Sequence, residues 1–353
     1  MSSFLVTGGA GFIGSHLVAA LLERGHHVRV LDDLSTGSAP AVSPGADLIL
    51  GDVADRAVVR QAMLGMDGCF HLAAVASVER GHQDWLGCHR TNLTGSITVF
   101  DAAAKAGRVP VVYASSAAVY GDNPVLPLSE ESQTGPLSAY GADKLGCEYH
   151  GRVAALIHNV PTAGLRFFNI YGPGQDPRSP YTGVIAIFAD RARQGQPLRI
   201  NGDGSALRDF VYVGDAVAHL LAAMGRLHGH RAAVAEIFTV CTGRPTSILE
   251  LATLLRRLTG SDSPIQHGPA RAGDIARSLG DPRRAIRLLG VQASTVLEQG
   301  LCHTLDYSGL RPPLMQPGGG HQNGPQPLGM VLPATEMFGQ SAANRGGMEQ
   351  SVG

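Results

Sequence analysis

Short apolar runs and longer amphipathic stretches alternate along the first half of the chain. Phe4–Thr7, Val28–Asp32, Asp47–Leu50, Gly68–His71, Val109–Ser115 and Thr162–Phe168 read as strands, several of them apolar throughout. Helical spacing runs through residues 12–24, 85–106 and 140–158, and in the first of these Leu17, Val18, Leu21 and Leu22 share one face. Apolar strands alternating with helices predict an α/β fold, a doubly wound parallel sheet with helices on both faces. Ligands of such sheets sit beyond the carboxyl ends of the strands.

The order loosens after residue 168. Helical patterns near 183–194, 213–224, 247–258 and 294–305 are separated by Gly/Pro loops, with short strands near Leu198–Ile200 and Glu236–Val240. This predicts a dinucleotide-binding domain over 1–168, to which the chain returns later, and a smaller mixed substrate-binding domain over 169–307. Residues 308–353 read as a disordered tail, because Pro312 to Pro327 is rich in Pro, Gly and Gln and few anchors follow.

The first strand runs straight into Thr7-Gly8-Gly9-Ala10-Gly11-Phe12-Ile13-Gly14, and a helix follows. Gly9, Gly11 and Gly14 satisfy G-x-G-x-x-G, and Gly8, Gly11 and Gly14 fall three apart. Such a turn needs glycine to bend tightly, to let the backbone approach a pyrophosphate and to pack the helix on the strand. The helix N-terminus then faces the anion. The sheet is therefore of the Rossmann type. Asp32 ends the second strand eighteen residues after Gly14. A carboxylate there either accepts hydrogen bonds from an adenosine ribose or caps a turn; the spacing favours the ribose. No arginine follows it, which favours NAD over NADP. Asp52, followed by Val53 after the third strand, would meet the adenine amino group or close a turn.

Composition narrows the partners. A net charge of −1 with 16% charged residues gives no basic field for nucleic acid or an anionic membrane. No apolar run reaches the roughly 18 residues that span a bilayer, and the early first strand leaves no room for a signal peptide. Five scattered cysteines without C-x-x-C spacing, and fourteen histidines without a ligand pattern, predict no metal site and a reducing, cytoplasmic setting.

Tyr113-Ala114-Ser115-Ser116-Ala117-Ala118-Val119-Tyr120 ends another strand, and Tyr140-Gly141-Ala142-Asp143-Lys144 opens a helix. Tyr140 and Lys144 are i,i+4 on one face, so their side chains can converge. An ammonium about 5 Å away favours the phenolate by roughly 3 kcal/mol at an effective dielectric near 20. Tyr120 has no lysine four residues on and reads as structural.

Taken in order, the glycine-rich turn, Asp32, His71-Leu72-Ala73-Ala74, Asn92, Ser116 and Tyr140/Lys144 resemble the extended short-chain dehydrogenase/reductase superfamily. More narrowly, they are similar to its NAD-dependent nucleotide-sugar epimerase/dehydratase group. The resemblance covers about residues 3 to 307. It implies that Tyr140 is the base, Lys144 holds the nicotinamide ribose and Ser116 bonds the reacting hydroxyl. It also implies cofactor contacts from Gly8, Gly11, Phe12, Ile13, Gly14, Asp32, Asp52, Val53, Leu72, Ala73, Ala74, Asn92 and Arg80, the last either on the cofactor phosphates or merely exposed.

Dehydratases of this group carry Asp-Glu directly after the catalytic Ser/Thr; here those positions are Ala117 and Ala118, which transfer no proton. The resemblance therefore implies a UDP-hexose 4-epimerase, with a dehydratase, a reductase or a non-catalytic dinucleotide sensor as alternatives. It assigns substrate contacts to Ser116, Asn169, Arg208, Arg271, Asp274 and Ser278. Ser278 stands four residues after Asp274, where related epimerases carry either a bulky tyrosine or a small residue, so a serine leaves room for an N-acetyl group at C2. The implied assembly is a homodimer through the helices near 85–106 and 140–158. The sugar itself, whether glucose, N-acetylglucosamine or glucuronate, stays open at this point.

Overall fold

A computed structural model of the chain describes residues 1–309 except 178, 180–182, 231 and 271–274. The predicted tail from residue 310, Arg271 and Asp274 lie outside the described residues. The strands are β1 Ser3–Thr7, β2 His27–Asp32, β3 Asp47–Leu50, β4 Gly68–His71, β5 Val111–Ser116, β6 Thr162–Phe167, β7 Asn169–Tyr171, β8 Leu198–Asn201, β9 Leu207–Tyr212, β10 Ala235–Val240, β11 Pro245–Ser247 and β12 Ile265–Gly268. The helices are α1 Phe12–Glu23, α2 Arg56–Met63, α3 Val78–Gln83, α4 Trp85–His89, α5 Gly95–Lys105, α6 Ala139–His158, α7 Val184–Arg193, α8 Val213–Gly229, α9 Ile248–Thr259, α10 Arg283–Leu289 and α11 Leu297–Tyr307.

Seven strands form one parallel sheet in the order β10-β6-β5-β4-β1-β2-β3. Alternate side chains feed two cores. Phe4, Val6, Val30, Phe70, Val112, Leu165 and Phe238 meet α1 and α8 on one face. Leu5, Leu31, Cys69, Val111 and Tyr113 meet α2, α5 and α6 on the other. Both faces are buried, which is why these strands carry apolar residues at nearly every position.

A third core, built on Tyr171, Phe188, Leu198, Phe210, Leu251 and Leu301, fills the region after β6. The small sheets β11-β9-β7 and β12-β8 lie in that region. Its helix α9 starts with a reciprocal capping box, Ser247 with Glu250, and stops at Gly260 in the left-handed conformation.

The helix expected over 85–106 forms from Trp85 to Lys105, with one irregularity in its middle. Between α4 and α5 the backbone makes a wide π-type turn over Arg90–Thr94. The Ser96 hydroxyl donates to the Asn92 carbonyl, and the Asn92 side chain leaves the helix to bond another segment. Such back-bonding to the i−4 carbonyl bends and loosens a helix, and π-type turns often mark functional sites.

Candidate active site

The carboxyl ends of β1, β2, β4, β5 and β6 surround a cleft of about 570 Å³. The glycine turn lies along it. Gly8 has φ +71°, and a Cβ there would lie 2.6 Å from the Ala73 nitrogen. A Cβ on Gly14 would lie 2.1 Å from the Gly8 carbonyl oxygen. No side chain caps α1 at Gly11, and Gly11, Phe12, Ile13 and Gly14 all line the cleft. The positive end of α1 thus meets the cavity over backbone alone, a seat that suits a pyrophosphate.

Asp32 lines the cleft too. Its carboxylate accepts the Ala10 and Leu34 N–H groups, each at 2.9 Å. Burial pushes its pKa up while those two bonds pull it down. The residue therefore closes a turn and faces the cavity at once. Asp52 does not line the cleft, although its neighbours Gly51 and Val53 do; its carboxylate accepts Arg90 Nη1 at 2.5 Å and the Ala54 N–H at 2.8 Å.

Leu72, Ala73 and Ala74 form the wall after β4. Asn92 is fully buried and does not line the cleft. Its Oδ1 accepts the Val75 N–H at 2.8 Å, and its Nδ2 donates to the Val75 carbonyl at 3.2 Å, so it shapes this wall from behind. Arg80, on α3, is exposed and lies outside the cleft lining.

His71 anchors the same wall. Its Nδ1 is 2.7 Å from Thr7 Oγ1 and its Nε2 is 3.0 Å from Ser96 Oγ. Thr7 Oγ1 also accepts the Ala73 N–H, and Ser96 Oγ donates to Asn92. One arrangement satisfies every group: neutral imidazole with its proton on Nε2. Burial, aided by the Lys144 charge, lowers the His71 pKa from 6.5 to about 3. The unfolded chain therefore binds the extra proton first as pH falls. This contribution to stability is complete above pH 6.5 and is lost between there and about pH 3. We expect the protein to lose roughly 2 kcal/mol between pH 7.5 and pH 5 from this group, at about 1.4 kcal/mol per pH unit. Urea denaturation of wild type and His71→Gln at both pH values checks it: the acid loss should shrink by that amount in the variant. His26 and His219, also lowered mainly by burial, act in the same sense in both proteins and cancel in the comparison.

The carboxyl end of β5 and the start of α6 form the opposite wall. The Ser138 hydroxyl caps α6 by accepting the Gly141 N–H. A Cβ on Gly141 would lie 2.7 Å from the Ala118 carbonyl, so the helix rests directly on the turn after Ser116. Ser116, Tyr140 and Lys144 consequently line one cleft. Lys144 is 2% exposed. Its Nζ donates to the Ala114 carbonyl at 2.8 Å and lies 5.9 Å from the centre of the Tyr140 ring. Tyr120 is engaged elsewhere. Its hydroxyl donates to the Ser129 carbonyl, its ring carries the Arg166 guanidinium at 4.9 Å, and burial pushes its phenol up.

On the substrate side, Asn169 opens β7 and lines the cleft. Arg208 and Ser278 are not in the lining but stand together, since the Ser278 N–H donates to the carbonyl of Leu207. Sequence reasoning missed several lining residues: Ser35 to Ser38, Phe167, Phe168, Gly174, Gln175 and Asp176. The Gly172-Pro173-Gly174 turn was the available signal for the last three. His16, on α1, ties that turn to the cofactor side through the Pro173 carbonyl at 2.8 Å. Among the described residues, no three His, Cys, Asp or Glu side chains are placed to hold a metal ion, and no helix is long and apolar enough to cross a membrane.

A parallel sheet with an uncapped glycine turn under its first helix, and a tyrosine and lysine one helical turn apart at the same cleft, define an extended short-chain dehydrogenase/reductase. The family model of the NAD dependent epimerase/dehydratase family matches residues 4–237. A UDP-glucose 4-epimerase of Mycolicibacterium smegmatis is 36% identical over 310 residues, 86% of this chain and 97% of the relative. The crystal structure of a UDP-glucose 4-epimerase from Thermotoga maritima, with UDP-glucose, superposes with a TM-score of 0.83 at 35% identity, covering 87% of this chain and 98% of that one. A UDP-N-acetylglucosamine 4-epimerase from Methanobrevibacter ruminantium gives 0.81 at 31% identity, covering 87% and 98%. The chain belongs to the NAD dependent epimerase/dehydratase family, and NAD is its cofactor.

Proposed function

We propose that the protein is a UDP-sugar 4-epimerase that oxidises the sugar transiently at C4. The observation that carries this reading is the convergence of Ser116, Tyr140 and Lys144 on one cleft, where the two positions after Ser116 hold only methyl groups. NAD, seated over the glycine turn and Asp32, would supply a reversible hydride acceptor beside C4. Tyr140 takes the proton of the 4-hydroxyl and gives it back, the work of one group acting in turn as base and acid. Lys144 places a positive charge beside the phenol and so favours its ionised form. Ser116 holds the reacting oxygen. Gly8, Gly11 and Gly14 seat the pyrophosphate, and Asp32 accepts the adenosine ribose. The cleft holds the reacting carbons in place, which replaces a bimolecular encounter by an intramolecular one.

Arg208 and Arg271 neutralise the diphosphate of the substrate, as bidentate guanidinium groups do best, and Asp274 takes the nucleotide ribose. The solved relatives bind UDP-glucose and UDP-N-acetylmuramic acid, which supports a UDP-sugar. Ser278, beside Arg208 through Leu207, leaves space for a C2 N-acetyl group. Purified protein is incubated without added NAD with UDP-glucose, UDP-N-acetylglucosamine and UDP-glucuronate, and the C4 configuration is read by NMR. The expected product is the 4-epimer with no net NADH. Ser278→Tyr should lose at least about 10-fold on the N-acetyl sugar relative to UDP-glucose, the effect of one lost pocket contact. Net NADH formation refutes the epimerase; full N-acetyl activity in the tyrosine variant refutes the role of Ser278.

The proposed assembly is a homodimer. Trp85 and Leu86 on α4, and Tyr149, Val153, Leu156 and Ile157 on α6, are exposed apolar side chains, the kind of patch that a subunit contact covers. All five cysteines are free thiols, which suits a reducing compartment and supports a cytoplasmic setting.

A further inference from the structure

The catalytic helix is stitched to the catalytic strand at two successive residues. Tyr140, Lys144 and Glu148 follow one another at i, i+4 and i+8, so they share one face of α6. Lys144 Nζ donates to the Ala114 carbonyl at 2.8 Å. Glu148 Oε1 takes the Ser115 hydroxyl at 2.5 Å. The next residue of that strand is Ser116. Successive side chains of a strand point to opposite faces, so the Ser115 hydroxyl turns to the helix while the Ser116 side chain points the other way, although both residues border the cleft. Glu148 is itself locked: Arg166 on β6 donates Nε to Oε1 at 2.9 Å and Nη2 to Oε2 at 2.7 Å. Both side chains are buried, at 6% and 7% exposure. A bidentate pair of this kind fixes direction as well as distance. The Arg166 guanidinium is held in turn by the Tyr120 ring and the Glu130 carbonyl.

We propose that Glu148 is a positioning residue for the reaction: held by Arg166, it grips Ser115 and so sets the distance between the Ser116 hydroxyl and the Tyr140 phenol. This rests on the epimerase reading of the cleft. Glu148 does not line the cleft; it acts through Ser115. Arg166 also balances its charge, so the carboxylate does not draw Lys144 from Ala114 and away from Tyr140.

The test uses the NAD-loaded protein. Ser115→Ala removes one hydroxyl and leaves the ion pair intact. Its kcat should fall about 10-fold, since misplacement by a fraction of an ångström is enough for that, with KM for the UDP-sugar, bound NAD and thermal midpoint near wild type. Glu148→Gln should fall further, and the double variant Ser115→Ala/Glu148→Gln should be no slower than Glu148→Gln alone, because the two act as one unit. Backbone hydrogen exchange over 111–118 should quicken in Ser115→Ala without any substrate present. An unchanged kcat in Ser115→Ala overturns the proposal, as does a loss that moves KM, NAD content and thermal midpoint together. If wild type turns over no UDP-sugar, the proposed function fails, and the exchange measurement alone decides whether Glu148 holds the strand.

Discussion

Tyr140→Phe should stop sugar turnover while leaving NAD bound. The substitution removes one oxygen from a residue whose ring, helix and cap remain. Ser138 still caps α6, Lys144 still reaches the Ala114 carbonyl, and the glycine turn is untouched. What disappears is the only phenol lining the cleft among the described residues. Tyr120 cannot substitute, because its hydroxyl is spent on Ser129 and burial pushes it toward the neutral form. The 4-hydroxyl proton then has no acceptor beside Lys144, and kcat should fall by roughly 10² to 10⁴, the usual contribution of a placed acid–base group. NAD released from the denatured variant, measured per mole of chain, should match wild type. Turnover within tenfold of wild type would remove Tyr140 from the mechanism.

Gly14→Ala is expected to act on the other half of the site. The added methyl would lie 2.1 Å from the Gly8 carbonyl oxygen and 2.8 Å from the Gly9 Cα, backbone atoms that no rotamer change can move aside. Either α1 lifts or the turn beneath it shifts, and both displace the amino end of the helix from the cleft. Overpacking of this kind costs about 1–3 kcal/mol, and the anion seat goes with it. Purified Gly14→Ala should therefore carry little NAD and unfold at lower denaturant. Gly11→Ala is the contrast. Its methyl would meet a single atom, the Gly8 carbonyl oxygen at 3.2 Å, so the fold should lose less although the methyl stands at the mouth of the seat. A Gly14→Ala protein with wild-type NAD content and stability would contradict the close-packing account.

Much of this is legible in the chain because it is local. The glycine turn, the apolar strands and the Tyr140/Lys144 spacing each lie within a few residues. What is not legible depends on distant partners. Glu148 follows Lys144 by one turn, but its meaning comes from Arg166 and Ser115 on two strands. Asn92 is expected at the cofactor from the sequence; its amide is committed to Val75, and only the wide turn around it reveals why. Helix α2 is hidden by its shortness, and β7, β9, β11 and β12 because two- and three-stranded sheets impose little alternation. The return of the chain in β10 can be expected, but its parallel pairing with β6 follows only from the structure.

That pairing has a consequence for how the gene can be cut. The segment between β6 and β10 is an insert flanked by two neighbours of one ladder, not an appendage. A fragment ended at residue 168 would strip β6 of the six-residue partner Ala235–Val240 and bare a long apolar edge, the kind of template that recruits other chains. The seven-stranded sheet cannot be excised by a single break; it is complete only after the polypeptide has gone out and come back.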